Sequence, residues 1–219
     1  MPAYIRPVQP SDRPALSRIC LLTGAAGQNA ESDHTIGELL GLVYAEPYAA
    51  AEIKDAGATW GFVLVERSSE DVVGYVLGTS DTRAFEATLA ERWWPVQRAT
   101  YPLTLISTAE PPLKPADERT IRLFHNPDTA PDAVLRYAKA HMHIDILPSH
   151  QRQGWGRKLI KTAALHLKEQ GINTLHLGID PRNDKARAFY IRMGFERLDI
   201  EGGAECYGLN LDDFLQQDL

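Results

Sequence analysis

The sequence predicts a mixed α+β fold built around a twisted sheet with antiparallel and parallel neighbours. An antiparallel hairpin is indicated by two β-branched and aromatic runs, WGFVLVE (60–66) and DVVGYVLGT (71–79), because the turn-like segment RSSE separates them. A strand, a helix and a second strand follow one another over 140–180, which predicts a right-handed crossover between parallel strands. With 44% hydrophobic and 24% charged residues, the 219-residue chain has a globular composition and fits one large domain or two small ones.

The elements before residue 80 are predicted from turn and cap residues. Residues 4–8 are expected to form a short edge strand, since prolines flank them. Good capping residues predict a helix from about residue 12 to 22. A turn-rich loop follows, and 35–53 predicts a second helical stretch that is interrupted near Pro47.

The segment 80–139 is less regular. DTRAFEATLAERWWPVQRATYP begins as a helix and ends at prolines, and DERTIRLF and PDAVLRYAKA predict two further short helices. Two tryptophans in this segment, Trp93 and Trp94, either shape a substrate mouth or pack in the core, as do Asp81 and Arg83 near its start. The segment predicts a long insertion that covers one side of the sheet.

The pattern becomes sharper from residue 140. HMHIDIL alternates apolar and polar residues, so a strand is predicted whose polar face carries His141, His143 and Asp145. Residues 156–170 place their apolar side chains on one helical stripe that ends at a glycine. TLHLGID (174–180) predicts another strand.

The remaining C-terminal elements are one helix and two strands. Residues 183–195 predict a helix with Asn183 as its cap and Gly194 as its stop. FERLDI and ECYGLNL predict two final strands.

The corner between the polar strand and the next helix combines glycines with cations. Gly154 and Gly156 let the backbone approach a ligand closely, and the first turn of a helix offers unpaired N–H groups and a partial positive charge. Arg152, Arg157 and Lys158 add mobile positive charges. This corner is either a pyrophosphate site or a tight structural turn, and it matches neither of the two named phosphate motifs.

Two motifs resemble those of the GNAT acetyltransferases. Q151-R-Q-G154-W-G156 matches the Q/R-x-x-G-x-G/A signature of that family, and N183-D-K-A-R-A-F-Y-I-R-M-G194-F resembles its N-x-x-A-x-x-F/L-Y-x-x-x-G-F element. They occur in the family's order, with a helix and a strand between them. The resemblance covers nearly the whole chain in element order and 140–210 in motif detail. It implies a single GNAT-like domain over 1–219, with a mixed, mostly antiparallel sheet and helices on both faces.

A narrower resemblance joins the chain to the acetyltransferase-like C-terminal domain of eukaryotic O-GlcNAcases and its free-standing microbial relatives. This resemblance rests on three segments: GYVLGTSDTRAFE…WWP, HIDIL and P181-R-N-D-K…F-Y190…G194. Members with a degraded glycine corner are suspected not to bind acetyl-CoA, whereas the corner is intact here. The insertion departs from typical small-molecule acetyltransferases, which makes it unsafe to transfer a substrate from them.

The family resemblance implies acetyl-CoA as the co-substrate and assigns its contacts. The arm of the cofactor would pair with the backbone of the fourth strand, its pyrophosphate would lie on the corner, and Asn183 with its helix would contact the arm. These expected cofactor-binding residues are Ile146, Leu147, Gln151, Arg152, Gln153, Gly154, Trp155, Gly156, Arg157, Lys158, Asn183, Ala186 and Phe189.

The resemblance also implies the catalytic groups. Tyr190 would lie near the thioester sulfur and protonate the departing thiolate, and the alternative is a core aromatic beside Phe189. An amine with a pKa near 10.4 must lose a proton before it attacks, at a cost of about 4–5 kcal/mol at pH 7. Asp145 is the preferred base, and His143, whose ordinary pKa suits base chemistry, is the second. His141 is a further candidate, and the alternative is that all three simply face solvent.

A metal site is the competing interpretation of the same cluster. Alternating His-x-His-x-Asp on a strand can ligate zinc, and His176 and Asp180 lie on the matching face of the next strand. The motifs explain these residues without a metal, so we expect none.

The charge and the cysteine content of the chain limit its expected binding partners and its expected compartment. A net charge of −6 argues against a nucleic-acid partner, and no apolar run approaches a membrane span. The N-terminal residues lack a secretory apolar region, and Cys20 and Cys206 are expected to be reduced, so a cytoplasmic protein is expected.

The sequence favours an N-acetyltransferase that acts on a small amine, an amino sugar or a protein lysine. A non-catalytic acetyl-CoA-binding module and a nucleotide-phosphate protein are the alternatives. The oligomeric state, monomer or homodimer, is open.

Overall fold

The computed structural model describes residues 2–200 and 205–217, so parts of the expected 1–219 domain lie outside the described residues. One seven-stranded sheet runs through the molecule in the order β1-β2-β3-β4-β5-β7-β6. Its strands are β1 (Ala3–Pro7), β2 (Thr59–Glu66), β3 (Val72–Thr79), β4 (Ala140–Ile146), β5 (Thr174–Ile179), β6 (Glu196–Leu198) and β7 (Glu205–Asn210). Every strand predicted from the sequence is present, and β1 is an edge strand as predicted.

The helices of the first half and the insertion are short. They are α1 (Arg13–Thr23), α2 (Leu39–Tyr44), α3 (Ala51–Lys54), α4 (Thr82–Thr88), α5 (Trp94–Thr100), α6 (Leu105–Thr108), α7 (Pro115–His125) and α8 (Asp132–Tyr137). The interruption near Pro47 is a 3-10 turn, Glu46–Ala49, and a π turn, Leu89–Trp93, joins α4 to α5. The helical character of the insertion is thus confirmed, and the π turn was not predicted.

Three helices belong to the C-terminal part: α9 (Trp155–Glu169), α10 (Asp184–Arg192) and α11 (Leu211–Gln216). Asn183 caps α10, because its Oδ1 accepts a hydrogen bond from the N–H of Ala186 at 3.0 Å. Gly194 follows α10 with φ +87°, which suits a glycine stop. Both predicted ends of this helix are confirmed, whereas α11 was not predicted.

All neighbouring strands pair antiparallel except β4 and β5, which pair parallel across the crossover helix α9. The predicted mixed, mostly antiparallel sheet is therefore confirmed. The parallel pair is short: β4 and β5 match only at Ala140–Leu175 and His141–His176.

Two hydrophobic cores lie on the two faces of the sheet. On one face, α9 and α11 pack on the apolar residues of β4, including Met142. On the other face, α1, α2 and the insertion pack on β2 and β3, with Phe124 and both tryptophans of the insertion buried. The insertion therefore covers one side of the sheet, as predicted. In the described ranges, no helix combines the length and apolar character needed to cross a bilayer.

Candidate functional site

A cleft opens where β4 and β5 separate. Beyond the His141–His176 pair, no ladder between the two strands is recorded in the described residues. The N–H of Leu147 donates to the carbonyl of Val73 on β3 at 2.9 Å. Because alternate residues of a strand direct their backbone groups to the same edge, those of Ile144 and Ile146 face the cleft. The cleft therefore offers backbone hydrogen-bonding groups to a ligand lying along β4.

The corner at the mouth of the cleft has a backbone suited to an anion. Arg152 and Gly154 both lie in the left-handed region, with φ of +58° and +80°, and both are exposed. The amide groups of Gln151 and Gln153 donate to the carbonyls of Ile146 and Ser149, each at 2.8 Å, and hold the turn. Left-handed residues within a turn direct N–H groups into one concavity, and α9 adds its positive end.

Other side chains of the corner pack against neighbouring residues. Trp155 is buried in the core, and a Cβ on Gly156 would lie 2.8 Å from Cζ of Phe189. The guanidinium of Arg157 lies over the ring of Phe214 at 5.3 Å, and Nζ of Lys158 lies over the Trp155 ring at 4.2 Å. Arg157 and Lys158 thus have aromatic contacts at this corner, and their role in binding a pyrophosphate stays a prediction.

The start of α10 lies beside the loop that follows α1. A Cβ on Gly27, which has φ +83°, would lie 3.0 Å from Nδ2 of Asn183. Ala186 and Phe189 are half-buried and pack against the core of the α9 face. Gly27 was missed by sequence reasoning, since only the folded chain brings the two segments together.

Asp145 occupies a desolvated place on β4. The hydroxyl of Tyr75 donates a hydrogen bond to Oδ2 of Asp145 at 2.7 Å. Burial raises the pKa of Asp145 to about 6, and the Tyr75 hydrogen bond only partly opposes this rise. The raised pKa puts Asp145 near neutrality, where a carboxylate accepts protons well.

Tyr190 lies near Asp145 and is 8% exposed. Its ring packs in a T-shaped contact against Phe195, with centroids 5.2 Å apart. Burial, and then the charge of Asp145, raises the pKa of the Tyr190 hydroxyl. Across the described ranges this hydroxyl has no recorded hydrogen bond, so its proton is available to a ligand. The ring of Tyr190 thus belongs to the core beside Phe189, and its role as a proton donor stays a prediction.

His141 is fully engaged in hydrogen bonds. The hydroxyl of Thr82 donates to the carbonyl of Lys139 at 2.6 Å, so Nδ1–H of His141 donates to Thr82 Oγ1 at 2.8 Å. The other ring nitrogen, Nε2, then accepts from the hydroxyl of Tyr48 at 2.6 Å. Burial holds the pKa of His141 well below its ordinary value. His141 is therefore a neutral structural residue.

His143 has ring contacts with Tyr44, Tyr48 and His141, and within the described part of the chain no hydrogen bond is recorded for it. Burial and the neighbouring His176 lower its pKa to about 4. A base with this pKa is weak, which favours Asp145. The alternative that these polar side chains simply face solvent does not hold, since all three are at most partly exposed.

The zinc interpretation finds no support in the geometry. In residues 2–200 and 205–217, no three His, Cys, Asp or Glu side chains come together in a way that could hold a metal ion. Nδ1 of His176 hydrogen bonds to the carbonyl of Ala138, and Asp180 pairs with Arg182 at 2.6 Å.

A pocket of about 300 Å³ adjoins the inner end of the cleft. Its floor comes from β4 and β5, and its walls come from α2, the 3-10 turn Glu46–Ala49, α4, the π turn, α5 and the loop before α8. The members that sequence reasoning missed include Tyr44, Tyr48, Phe85, Glu86, Leu89 and Asp128. Trp94 both lines the pocket and packs in the core.

Comparison with known proteins assigns the family. The model of the acetyltransferase (GNAT) family matches residues 119–195. The crystal structure of SsHAT superposes with a TM-score of 0.81 at 33% identity, covering 96% of this chain and 99% of that one. The structure of yncA from Salmonella typhimurium with acetyl-CoA has a TM-score of 0.52 at 16% identity over 97% of this chain and 96% of that one, and shares the fold.

A curated relative is similar over a shorter segment. The [ribosomal protein bS18]-alanine N-acetyltransferase of Haemophilus influenzae is 40% identical over 58 residues, which are 26% of this chain and 39% of that protein. The chain spans less than half the length of the curated relatives it matches.

Proposed function

Because the chain belongs to the GNAT family of acetyltransferases, we propose that it moves the acetyl group of acetyl-CoA to a primary amine by direct attack in a ternary complex. The acceptor is a small amine, an amino sugar or a protein lysine. The observation that carries this proposal is the separation of β4 from β5 beyond the His141–His176 pair, with an anion-binding corner at its mouth.

Acetyl-CoA fits the charge and shape of the cleft. Its diphosphate would bind the N–H groups at the start of α9, with Gln151, Arg152 and Gln153 beside it. Its arm would lie along Ile146, whose carbonyl also accepts the Gln151 amide, and the side chain of Leu147 borders this path. Asn183 and the half-buried face of α10 close the other side. Trp155 and Gly156 contribute backbone only, and Phe189 supports Gly156.

The thioester supplies an activated acetyl carbon. The acceptor first loses the extra proton of its ammonium form to solvent, and its neutral nitrogen then forms a bond to that carbon while the carbon–sulfur bond breaks. The nitrogen loses a second proton as the amide forms, and this proton finally restores the one that Tyr190 gives to the thiolate. Asp145 takes this proton, because its pKa of about 6 leaves it ionised at neutral pH yet more basic than an ordinary carboxylate. Tyr190 keeps its proton at neutral pH, because burial raises its pKa, and gives it to the departing thiolate. His143 is the second candidate base.

Replacing Tyr190 distinguishes a catalytic acetyltransferase from a non-catalytic acetyl-CoA-binding module. We expect Tyr190→Phe to lower kcat by about 10²-fold or more, because the proton donor is lost, while acetyl-CoA binding is unchanged. Initial rates across a panel of amines and a calorimetric titration measure the two quantities. Tyr137→Phe is the matched control, since this ring at the end of α8 lies against Gly208 of β7 and does not line the pocket. Tight binding with no acetylated amine in the wild type would instead favour the module.

A further inference from the structure

The pocket beside the cleft lies where an acceptor would meet the acetyl group. Its floor includes His143, which is two positions from Asp145 on the same face of β4. Its volume is about 300 Å³. This volume suits a small molecule.

The walls of this pocket are mainly aromatic and aliphatic. Tyr48 stacks on Phe85 with ring centroids 4.6 Å apart and an interplanar angle of 18°. Trp94, Leu89 and Leu177 complete the apolar surface. Aromatic faces attract flat rings and cations, and the aliphatic side chains beside them provide no hydrogen-bonding partner for a hydroxyl group.

The polar groups in the walls are largely occupied by the protein itself. Glu86 accepts hydrogen bonds from the N–H of Ala130 at 2.6 Å and from Arg83 at 2.5 Å. Thr82 donates to a carbonyl, and His141 uses both ring nitrogens. Moving hydroxyl groups from water into such a pocket costs free energy, because they would find few partners. An amino sugar therefore fits the walls poorly.

The attacking nitrogen must lie at the floor of the pocket, beside Asp145, and the only role for charge at the rim is to attract the cationic acceptor toward the pocket. Asp128 lines the pocket and is exposed, and its charge acts on the neighbouring Tyr44. Burial keeps the three histidines of the floor neutral, so they do not repel a cation. A polyamine would have to place a second positive charge against the apolar walls, at a larger desolvation cost.

Taking the proposed acetyl transfer as its premise, we propose that the acceptor is a small primary amine with a single positive charge on an aromatic or aliphatic body, bound between the Tyr48–Phe85 pair and the floor of β4 and β5. The insertion thus determines acceptor specificity in this chain. A free amine is favoured over a protein lysine, because a lysine is attached to a polar peptide backbone for which the apolar walls offer few partners.

The first test compares acceptors in one assay. Release of free thiol from acetyl-CoA is measured with 2-phenylethylamine, isoamylamine, glucosamine, spermidine and a lysine peptide. We expect kcat/KM for the first two amines to exceed that of each other acceptor by about 10-fold or more, since each apolar contact in a pocket is worth about 1–3 kcal/mol. A preference for glucosamine, spermidine or the peptide would overturn the assignment.

The second test fills the pocket. Ala90 lies on the π turn, is exposed and lines the pocket, so Ala90→Phe should raise KM for 2-phenylethylamine by about 10-fold. Ala87→Phe is the matched control, because Ala87 is exposed on α4 and does not line the pocket. Thermal unfolding of both variants confirms that they fold. An unchanged KM in a folded Ala90→Phe would contradict the placement of the acceptor.

The outcomes separate the two proposals. If acetyl-CoA binds and an acceptor other than these apolar amines is acetylated, the acceptor assignment fails and acetyl transfer stands. If acetyl-CoA does not bind, the proposed function itself fails. The Kd of Ala90→Phe for acetyl-CoA should remain within about 2-fold of the wild type, because Ala90 belongs to the π turn and not to β4, β5 or the corner that form the cofactor cleft.

Discussion

Asp145, the proposed base, is expected to lower the stability of the folded state at neutral pH. Its carboxyl titrates near 3.9 in an unfolded chain and at about 6 in the folded one, so the folded state binds this proton more tightly. Stability from this group is therefore greatest below about pH 4 and declines as the pH rises through about 6. The loss is at most about 3 kcal/mol at 1.36 kcal/mol per pKa unit.

Asp145→Asn should therefore increase stability and decrease activity. The amide oxygen can still accept the Tyr75 hydroxyl, but no buried charge remains. We expect the unfolding free energy in urea at about pH 8 to rise by about 1–3 kcal/mol, with the gain shrinking toward about pH 4. The wild-type rate should rise as the pH passes through about 6, because Asp145 ionises there. In Asp145→Asn the rate should be lower by about 10²-fold or more, and this rise should be absent. A less stable variant at pH 8, or an unchanged rate profile, would contradict the desolvated base.

At the level of elements, the turn into α9 and the turn out of it provide a natural comparison. Gly154 precedes α9 with φ +80°, Gly171 follows it with φ +77°, and a Cβ at either position would meet nothing within 4 Å. Alanine at either site therefore suffers backbone strain of roughly 1–2 kcal/mol and no clash.

Only the first of these glycines belongs to the proposed diphosphate site. We expect Gly154→Ala to weaken CoA binding by about 10-fold or more, because relief of the strain turns N–H groups away from the ligand. Gly171→Ala should lower the melting temperature by a similar amount and leave the Kd unchanged. Calorimetry and thermal unfolding measure the pair, and equal Kd values in the two variants would refute the diphosphate site at the corner.

The sequence was sufficient for elements whose signal is local. Alternation revealed β4 and the shared face of His143 and Asp145, and capping chemistry revealed both ends of α10. It could not show that Gly156 packs on Phe189 or that Arg157 lies over Phe214, because those contacts join segments far apart in the chain. The roles predicted for these corner residues followed the motif, whereas tertiary packing decides which of them a ligand can reach.

On the scale of the whole molecule, the two faces of the sheet divide the proposed reaction between cofactor binding and acceptor binding. The face packed by α9 holds the corner and the start of the cleft, and the face packed by α1, α2 and the insertion holds the polar side chains and the acceptor pocket. The pocket was not predictable, because its walls bring together α2, α4, α5 and a loop before α8 with no shared periodicity. The sequence predicted that a long insertion covers one side of the sheet, but it could not predict the pocket that the insertion forms there.

The binding of acetyl-CoA tests this account most directly. A calorimetric titration should show about one molecule bound per chain with a Kd near the micromolar range, and acetyl-pantetheine, which lacks the diphosphate, should bind about 10-fold or more weakly. Folded protein that shows no measurable heat with acetyl-CoA at millimolar concentration, or that binds the two compounds equally, would contradict it.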